Sequence, residues 1–311
     1  MSDELESQTK LVTTLKSIAT EGQNPKTLDI DLLDSLNILK KINNEDQKVA
    51  LAVKKVLPEI AQAVDLIVES FKLGGRLLYI GAGTSGRLGV LDAVECPPTF
   101  SVSSEQVIGI LAGGEKAMYK AVEGAEDSQE LAIHDLKAQQ VNEHDVVVGI
   151  AASGRTPYVL SAMTYARSVN AKVVGISCSP NERFAQDSHV NLCIEVGPEV
   201  LTGSTRMKSG TAQKLVLNML TTASMIRCGK SYKNLMIDVN ASNEKLYARA
   251  VRIVMQATEC DELTAQHALD LANNKTKTAS LMVLTGLNAE QAEKALSQEQ
   301  GFLRRAIANY E

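Results

Sequence analysis

Residues 76–87 read RLLYIGAGTSGR. The stretch opens with a short apolar run, which is typical of a buried parallel strand, and glycines and hydroxyl residues follow at once. Glycines let a backbone approach a phosphate closely, and the first turn of a following helix offers unpaired N–H groups. The stretch therefore predicts a strand, then a phosphate-binding turn that contains Thr84, Ser85 and Gly86, then a helix.

Four further short apolar runs follow along the chain, with helical stretches between most of them. They are Val107–Leu111, Asp145–Ile150, Lys172–Ile176 and Leu192–Val196. Strands that alternate with helices predict an α/β fold with a doubly wound, mostly parallel sheet flanked by helices. Ligands bind such sheets beyond the carboxyl ends of the strands, so the loops after these runs are the candidate sites.

Apolar residues recur at helical spacing both before and after the strands. We therefore expect an N-terminal helical segment over residues 1–65, a sheet domain over residues 66–230, and a small C-terminal helical domain over residues 240–311. The sheet domain is expected to end in a long helix from about Met207 to Lys230. In the last domain Asn288 and Gln291 have the spacing of a capping box at a helix start.

Charge and terminal composition exclude several classes of partner. The chain has 32 basic and 37 acidic residues and a net charge of -5, without long runs of like charge, so nucleic acid is not an expected partner. The N-terminal residues MSDELE are acidic, unlike a secretory signal, and no apolar run approaches the roughly 20 residues of a membrane-spanning helix. We expect a soluble cytoplasmic protein with no membrane partner.

The cysteines and histidines do not indicate a metal site. Five cysteines form no Cys-x-x-Cys pair, and four histidines have no metal-ligand spacing. We expect buried, reduced thiols. The cysteines are Cys96, Cys178, Cys193, Cys228 and Cys260.

A second loop follows the strand that ends at Ile150. It contains Ser153, Gly154, Arg155 and Thr156, and the next residue is a proline, which suits the first turn of a helix. Two loops that each deliver hydroxyls and glycine to a helix start favour a compact phosphate monoester on a sugar over an extended dinucleotide. The first loop alone also fits a nicotinamide dinucleotide, for which Glu105 could supply the acidic ribose contact.

Both loops carry a family resemblance. GTSG (residues 83–86) and SGRT (residues 153–156) resemble the two phosphate loops of sugar isomerase (SIS) domains. GAGTSGRLGVLDAVECPP (residues 81–98), AVEGAEDS (residues 121–128) and TGSTRMK (residues 202–208) resemble signatures of the N-acetylmuramic acid 6-phosphate etherases, whose relatives include the glucokinase regulatory proteins. The resemblance covers nearly the whole chain.

The second loop departs from the broader SIS pattern. Ala151 and Ala152 stand where many sugar isomerases have polar residues, and Arg155 stands where they often have glutamate. This departure argues against a residue-by-residue transfer from the isomerases and agrees with the etherase subfamily.

The resemblance implies a reaction and the residues that perform it. It implies cleavage of a D-lactyl ether by elimination and rehydration, in cell-wall amino-sugar recycling, with a sugar phosphate as ligand and no metal or redox cofactor. Both Glu95 and Glu126 match positions that the family uses catalytically; Glu95 is expected to protonate the departing lactyl oxygen, and Glu126 to remove the proton at C2. Burial beside Val94, Cys96 and Pro97 could keep Glu95 protonated.

Other assignments stay open from the sequence. The cations Arg87, Arg155, Arg206 and Lys208 are candidates to neutralise the phosphate or the lactyl carboxylate. An aldose–ketose isomerase would use the same loops, and a regulatory protein would bind a sugar phosphate without turnover. The resemblance also implies a homodimer.

Overall fold

The computed structural model describes residues 19–239 and 244–310, which form two compact units. The first unit contains the described residues up to Ala93 and residues Val107–Leu220. The second contains residues Val94–Gln106 and the described residues from Thr221 onward. Residues 1–18, which belong to the predicted N-terminal helical segment, and residues 240–243, where the predicted C-terminal domain starts, lie outside the described residues.

A five-stranded parallel sheet forms the centre of the first unit, with the strand order β2-β1-β3-β4-β5. Every residue of β1 and β3 is buried, because helices cover both faces of a parallel sheet. The predicted doubly wound α/β class is therefore confirmed. The strands are β1 (Leu77–Gly81), β2 (Val107–Leu111), β3 (Val146–Ile150), β4 (Lys172–Ser177) and β5 (Val190–Cys193).

The predicted range of the last strand, Leu192–Val196, was wrong by two to three residues. Strand β5 pairs with β4, which ends at Ser177 opposite Cys193, so the residues after Cys193 have no neighbouring strand. Both Ile194 and Val196 are nevertheless buried. Buried apolar residues of a loop have the same pattern as those of a strand, so the predicted strand extended too far.

Helices surround the sheet. One face of the sheet, which includes Leu78, Ile80 and Val147, belongs to a buried cluster with side chains of α5 and α6. The predicted long helix is α8, and its ends lie within three residues of the predicted ones. The helices that begin in this unit are α1 (Ser35–Lys54), α2 (Leu57–Lys72), α3 (Gly83–Phe100), α4 (Lys116–Tyr119), α5 (Gln129–Ala138), α6 (Pro157–Ser168), α7 (Glu182–Gln186) and α8 (Lys208–Arg227).

The second unit has a helical core of its own, which includes Val254, Leu269 and Leu281. The predicted capping box is confirmed, since the Gln291 N–H donates to Asn288 Oδ1 at 2.9 Å and the Asn288 N–H donates to Gln291 Oε1 at 3.1 Å. The remaining helices are α9 (Glu244–Thr258), α10 (Glu262–Leu271), α11 (Thr276–Thr285), α12 (Ala289–Gln298) and α13 (Leu303–Ala308).

Within residues 19–239 and 244–310, none of the helices combines the length and the apolar character that crossing a membrane requires.

Candidate active site

Two loops leave neighbouring strands at one edge of the sheet. We call residues 82–87 the first loop and residues 151–157 the second loop. Strand β1 lies beside β3, with Gly81 opposite Ile150, while β2 lies on the other side of β1. The chain therefore changes direction between β1 and β3, and such a switch point is where doubly wound sheets bind their ligands. The sheet order thus brings the two predicted phosphate loops together.

In the first loop, Thr84, Ser85 and Gly86 lie in the first turn of α3. Gly83 has a φ of 54°, which glycine adopts without strain. A Cβ at Gly86 would lie 2.4 Å from the carbonyl oxygen of Gly81, so this glycine lets the helix pack directly on the end of β1. The N–H groups of a first helical turn lack partners within the helix and attract anions.

Helix α8 packs against the first loop. The buried Ser85 hydroxyl donates a hydrogen bond of 3.0 Å to Oε1 of Gln213, whose side chain is also buried. A Cβ at Gly210 would contact the Thr84 side chain at 3.4 Å. Gln213 was not predicted from the sequence, because a glutamine inside a helix has no pattern that marks its contact with a distant loop.

In the second loop, two hydroxyls lie at the N-terminus of α6. Gly154 has a φ of 66°, and its N–H donates to the Ala151 carbonyl at 3.0 Å. Ser153 Oγ accepts from the Arg155 N–H at 3.2 Å, which leaves its own proton available to an anion. Thr156 is the N-cap residue, yet its side chain makes no capping hydrogen bond. This loop can therefore offer hydroxyl donors beside the positive end of a helix.

Glu126 lies next to the second loop. Its side chain is exposed, in a turn before α5. Its carbonyl accepts a hydrogen bond of 3.0 Å from the N–H of Tyr158, in the first turn of α6. The structure thus brings this predicted catalytic residue beside Ser153–Thr156.

Glu95 lies in the part of α3 that belongs to the second unit, and its side chain is exposed. The expected burial beside Val94, Cys96 and Pro97 is not found: Cys96 is 2% exposed, but Val94 is 63% exposed. Consecutive residues of a helix point in different directions, so the buried face that takes Cys96 does not take Glu95.

Glu105, the residue considered for a dinucleotide ribose, precedes β2 instead of following it. A ribose contact in a dinucleotide fold comes from the carboxyl end of the second strand. Glu105 therefore cannot supply the ribose contact that the dinucleotide interpretation assigned to it.

Two of the candidate cations, Arg87 and Lys208, bond other parts of the protein, and two, Arg155 and Arg206, are exposed. Arg87 uses its Nε to donate to the carbonyls of Ala117 and Met118, at 2.9 and 3.2 Å, and so anchors α4 to α3. Arg155 and Arg206 are exposed, and neither forms an ion pair within the described part of the chain. Arg155 belongs to the second loop itself, beside Ser153 and Thr156, so it is the candidate cation for an anion bound there.

Lys208 is a structural cation. Its side chain is fully buried, and its Nζ donates to Glu45 Oε2 at 2.8 Å and to the Val196 carbonyl at 2.9 Å. Burial alone would raise the pKa of Glu45, but hydrogen bonds from Lys208 and Lys48 outweigh this effect and hold the pKa at about 2. The ammonium of Lys208 is therefore committed to joining α1 and α8.

A buried carboxylate fixes the start of α8. Glu199 accepts three hydrogen bonds of 2.9 Å, from the N–H groups of Lys208 and Ser209 and from the Ser209 hydroxyl. The carboxylate satisfies two free N–H groups of the helix and lies at its positive end. Glu199 was not predicted from the sequence, because it has the pattern of an ordinary loop glutamate.

The five cysteines differ in burial. Cys96 and Cys178 are buried, and burial raises the pKa of Cys178 to about 12. Cys193, Cys228 and Cys260 are only partly buried, so the burial expectation was wrong for these three. All five are free thiols, and within the described ranges no three His, Cys, Asp or Glu side chains cluster as metal ligands.

Models of known protein families match three segments of the chain. The N-terminal SIS domain of glucokinase regulatory protein matches residues 59–167, the SIS domain matches residues 118–223, and the C-terminal lid domain of glucokinase regulatory protein matches residues 233–277. An N-acetylmuramic acid 6-phosphate etherase from Colwellia psychrerythraea is 73% identical over 97% of this chain and 98% of its own length. This chain belongs to the N-acetylmuramic acid 6-phosphate etherase family.

Further etherases are similar over the same extent. The relative from Vibrio cholerae is 59% identical over 97% of this chain and 98% of its own length. The relative from Brucella anthropi is 57% identical over 96% of this chain and 97% of its own length. The resemblance inferred from the sequence motifs is confirmed, and the protein is an enzyme of the etherase family.

Proposed function

We propose that this protein cleaves the D-lactyl ether of N-acetylmuramic acid 6-phosphate and releases D-lactate and N-acetylglucosamine 6-phosphate. The observation that carries the proposal is the pair of hydroxyl-bearing loops on the two sides of the β1–β3 switch point, in a chain of the etherase family. A compact phosphate monoester fits between two such helix starts.

In this proposal both loops hold the phosphate. The positive ends of α3 and α6 attract the anion, and the two glycines allow close approach of the backbone. The Arg155 guanidinium supplies the neutralising charge. The phosphate-binding residues of the proposal are Thr84, Ser85, Gly86, Ser153, Gly154, Arg155 and Thr156.

The reaction begins at C2 of the open-chain sugar, where the proton is acidic because it is α to the C1 aldehyde. The Glu126 carboxylate removes this proton, a C2–C3 double bond forms, and the C3–O bond breaks. Glu95 donates a proton to the departing lactyl oxygen. Water then adds its hydroxyl to C3, Glu126 returns the proton to C2, and the second water proton restores Glu95.

The test is D-lactate release from N-acetylmuramic acid 6-phosphate by the purified protein without added metal or nicotinamide. We expect stoichiometric lactate, and a loss of at least about 100-fold in turnover for Glu95→Gln and for Glu126→Gln, since each removes one general acid–base group. Glu123→Gln, an exposed change three residues before Glu126, should leave turnover unchanged.

Deuterium exchange separates the two carboxylate roles. In D₂O, Glu95→Gln should still exchange the C2 proton of the substrate, because Glu126 remains as base, whereas Glu126→Gln should not. The opposite pattern would reverse the two roles. If both variants still exchange the C2 proton, neither carboxylate is the base at C2.

Product analysis also separates the competing functions. The matches to glucokinase regulatory protein make a regulatory sugar-phosphate sensor the competing function. Such a sensor would bind the substrate and release no lactate. An aldose–ketose isomerase would change the sugar and leave the ether intact. Either result would overturn the proposed reaction.

The proposal places the enzyme in the cytoplasm as a homodimer that serves peptidoglycan amino-sugar recycling. Sedimentation equilibrium tests the dimer, and a monomer at the concentrations of the assay would contradict it. Cell fractionation tests the location.

A further inference from the structure

The Gln213 carboxamide has incomplete hydrogen bonding although it is buried. Its Oε1 accepts from the Ser85 hydroxyl at 3.0 Å, while its Nε2 has no hydrogen-bond partner in the described part of the chain. The residue is only 1% exposed. A buried N–H donor without an acceptor is unfavourable, so an unpaired amide directly behind the first loop calls for a functional explanation.

The direction of the Ser85 hydrogen bond conflicts with anion binding. A serine hydroxyl carries one proton and two acceptor lone pairs, and phosphate oxygens act mainly as acceptors. While Ser85 donates its proton to Gln213, it cannot donate that proton to a phosphate. To donate to a phosphate, this hydroxyl must therefore give up its hydrogen bond to Gln213 Oε1.

We propose that Gln213 is a positioning residue whose carboxamide rotates by about 180° when a phosphate monoester binds the first loop. After the rotation, Nε2 donates to Ser85 Oγ, and the Ser85 proton is free to donate to a phosphate oxygen. The two ends of a carboxamide have nearly the same shape, so the rotation requires no backbone movement. This inference rests on the proposed function, because it takes Ser85 as a phosphate ligand.

The rotation improves the hydrogen bonding of the bound state. It replaces an unpaired N–H with a chain of bonds from Gln213 through Ser85 to the phosphate, and consecutive hydrogen bonds polarise one another. The Gln213 nitrogen carries two N–H groups, so after the rotation one N–H and the carbonyl oxygen are unpaired in place of two N–H groups. The backbone of Gln213 stays in place because Glu199 fixes the preceding turn of α8.

A double-mutant cycle tests the inference. The dissociation constant for N-acetylglucosamine 6-phosphate is measured by calorimetry for the wild type, Ser85→Ala, Gln213→Met and the double variant. We expect each single change to raise Kd about ten-fold, as for the loss of one hydrogen bond to a charged group. Because Gln213 acts through Ser85, the double variant should bind no more weakly than Ser85→Ala. KM should rise with Kd in Gln213→Met, while kcat changes less.

Thr211→Ala is the matched control. Thr211 is exposed in the same turn of α8, and its hydroxyl donates to the Met207 carbonyl of its own helix at 2.9 Å. Its Kd should equal that of the wild type. Additive effects of the Ser85 and Gln213 changes, or wild-type affinity in Gln213→Met, would overturn the inference alone. A wild-type protein that does not bind the sugar phosphate would overturn the proposed function as well.

A measurement on the wild type keeps the inference testable if Gln213→Met does not fold. In protein labelled with ¹⁵N-glutamine, the Gln213 side-chain amide is assigned by its loss in Gln213→Glu. Binding of the sugar phosphate should shift this pair of N–H resonances and slow their exchange with water, because Nε2 gains an acceptor. Resonances that do not change at saturation would show that the carboxamide does not rotate.

Discussion

At the residue scale, the first loop depends on the missing side chain of Gly86. An added Cβ would lie 2.4 Å from the Gly81 carbonyl oxygen and 2.6 Å from a methyl carbon of Leu111. The first contact is with backbone at the end of β1, which cannot rotate away. The position of the helix start against the strand, and with it the position of Ser85, therefore requires glycine here.

Gly86→Ala should lower the free energy of unfolding of the first unit by about 3 kcal/mol, because α3 must move away from the strand. Urea denaturation followed by circular dichroism measures the change. The control is Gly210→Ala in α8, where the added Cβ meets Thr84 at an ordinary 3.4 Å and should change stability by less than about 1 kcal/mol. Equal midpoints for Gly86→Ala and the wild type would contradict the packing argument.

At the element scale, a buried ion pair joins α1 to α8. Glu45 is 4% and Lys208 is 0% exposed, and both side chains have further polar partners. Removing one partner of a buried pair leaves the other charge without compensation, which is more unfavourable than the loss of an exposed pair.

Glu45→Gln should lower the free energy of unfolding by about 3 to 5 kcal/mol at neutral pH. Lys48→Gln removes the half-exposed partner of the same carboxylate and should change the free energy of unfolding by less than about 1 kcal/mol. Urea denaturation of both variants provides the comparison. If both variants lose the same free energy of unfolding, the buried bond to Lys208 contributes no more to stability than the exposed bond to Lys48.

The same pair should make stability depend on pH. The pKa of Glu45 is lowered from 4.5 to about 2 in the folded protein, so its contribution is complete above pH 4.5 and is lost as the pH falls toward 2. The lowered pKa corresponds to about 3 kcal/mol. The difference in stability between the wild type and Glu45→Gln should therefore narrow across this window, and a constant difference would contradict the assignment.

At the scale of the whole molecule, the chain forms two compact units with separate cores. Both proposed phosphate loops belong to the first unit. The predicted ranges 1–65, 66–230 and 240–311 divide the chain by periodicity and stay a prediction.

Ligand binding should stabilise the unit that holds the loops. At about 100 times Kd, N-acetylglucosamine 6-phosphate should raise its free energy of unfolding by about 2.7 kcal/mol, which calorimetry detects as a higher Tm. N-acetylglucosamine without phosphate is the control and should cause little change at the same concentration. If both sugars raise the Tm equally, the phosphate does not contribute to binding.

The sequence by itself determined the features that depend on neighbouring residues. Apolar runs followed by glycine and hydroxyl residues identified β1, β3 and the loops after them, and the capping box at Asn288 was predicted residue by residue. The reason is that strand periodicity, turn conformation and helix capping are satisfied within a few residues. Motifs of the same local kind identified the family.

Only the tertiary structure decided which residues work together. The strand order that places β1 beside β3, the burial of Lys208 against Glu45 and the contact of Ser85 with Gln213 all join residues far apart in the chain. An arginine or lysine next to a motif looks the same whether it faces a ligand or a buried carboxylate. That choice depends on which distant surface covers the side chain, because burial and charge pairing are properties of the packed fold.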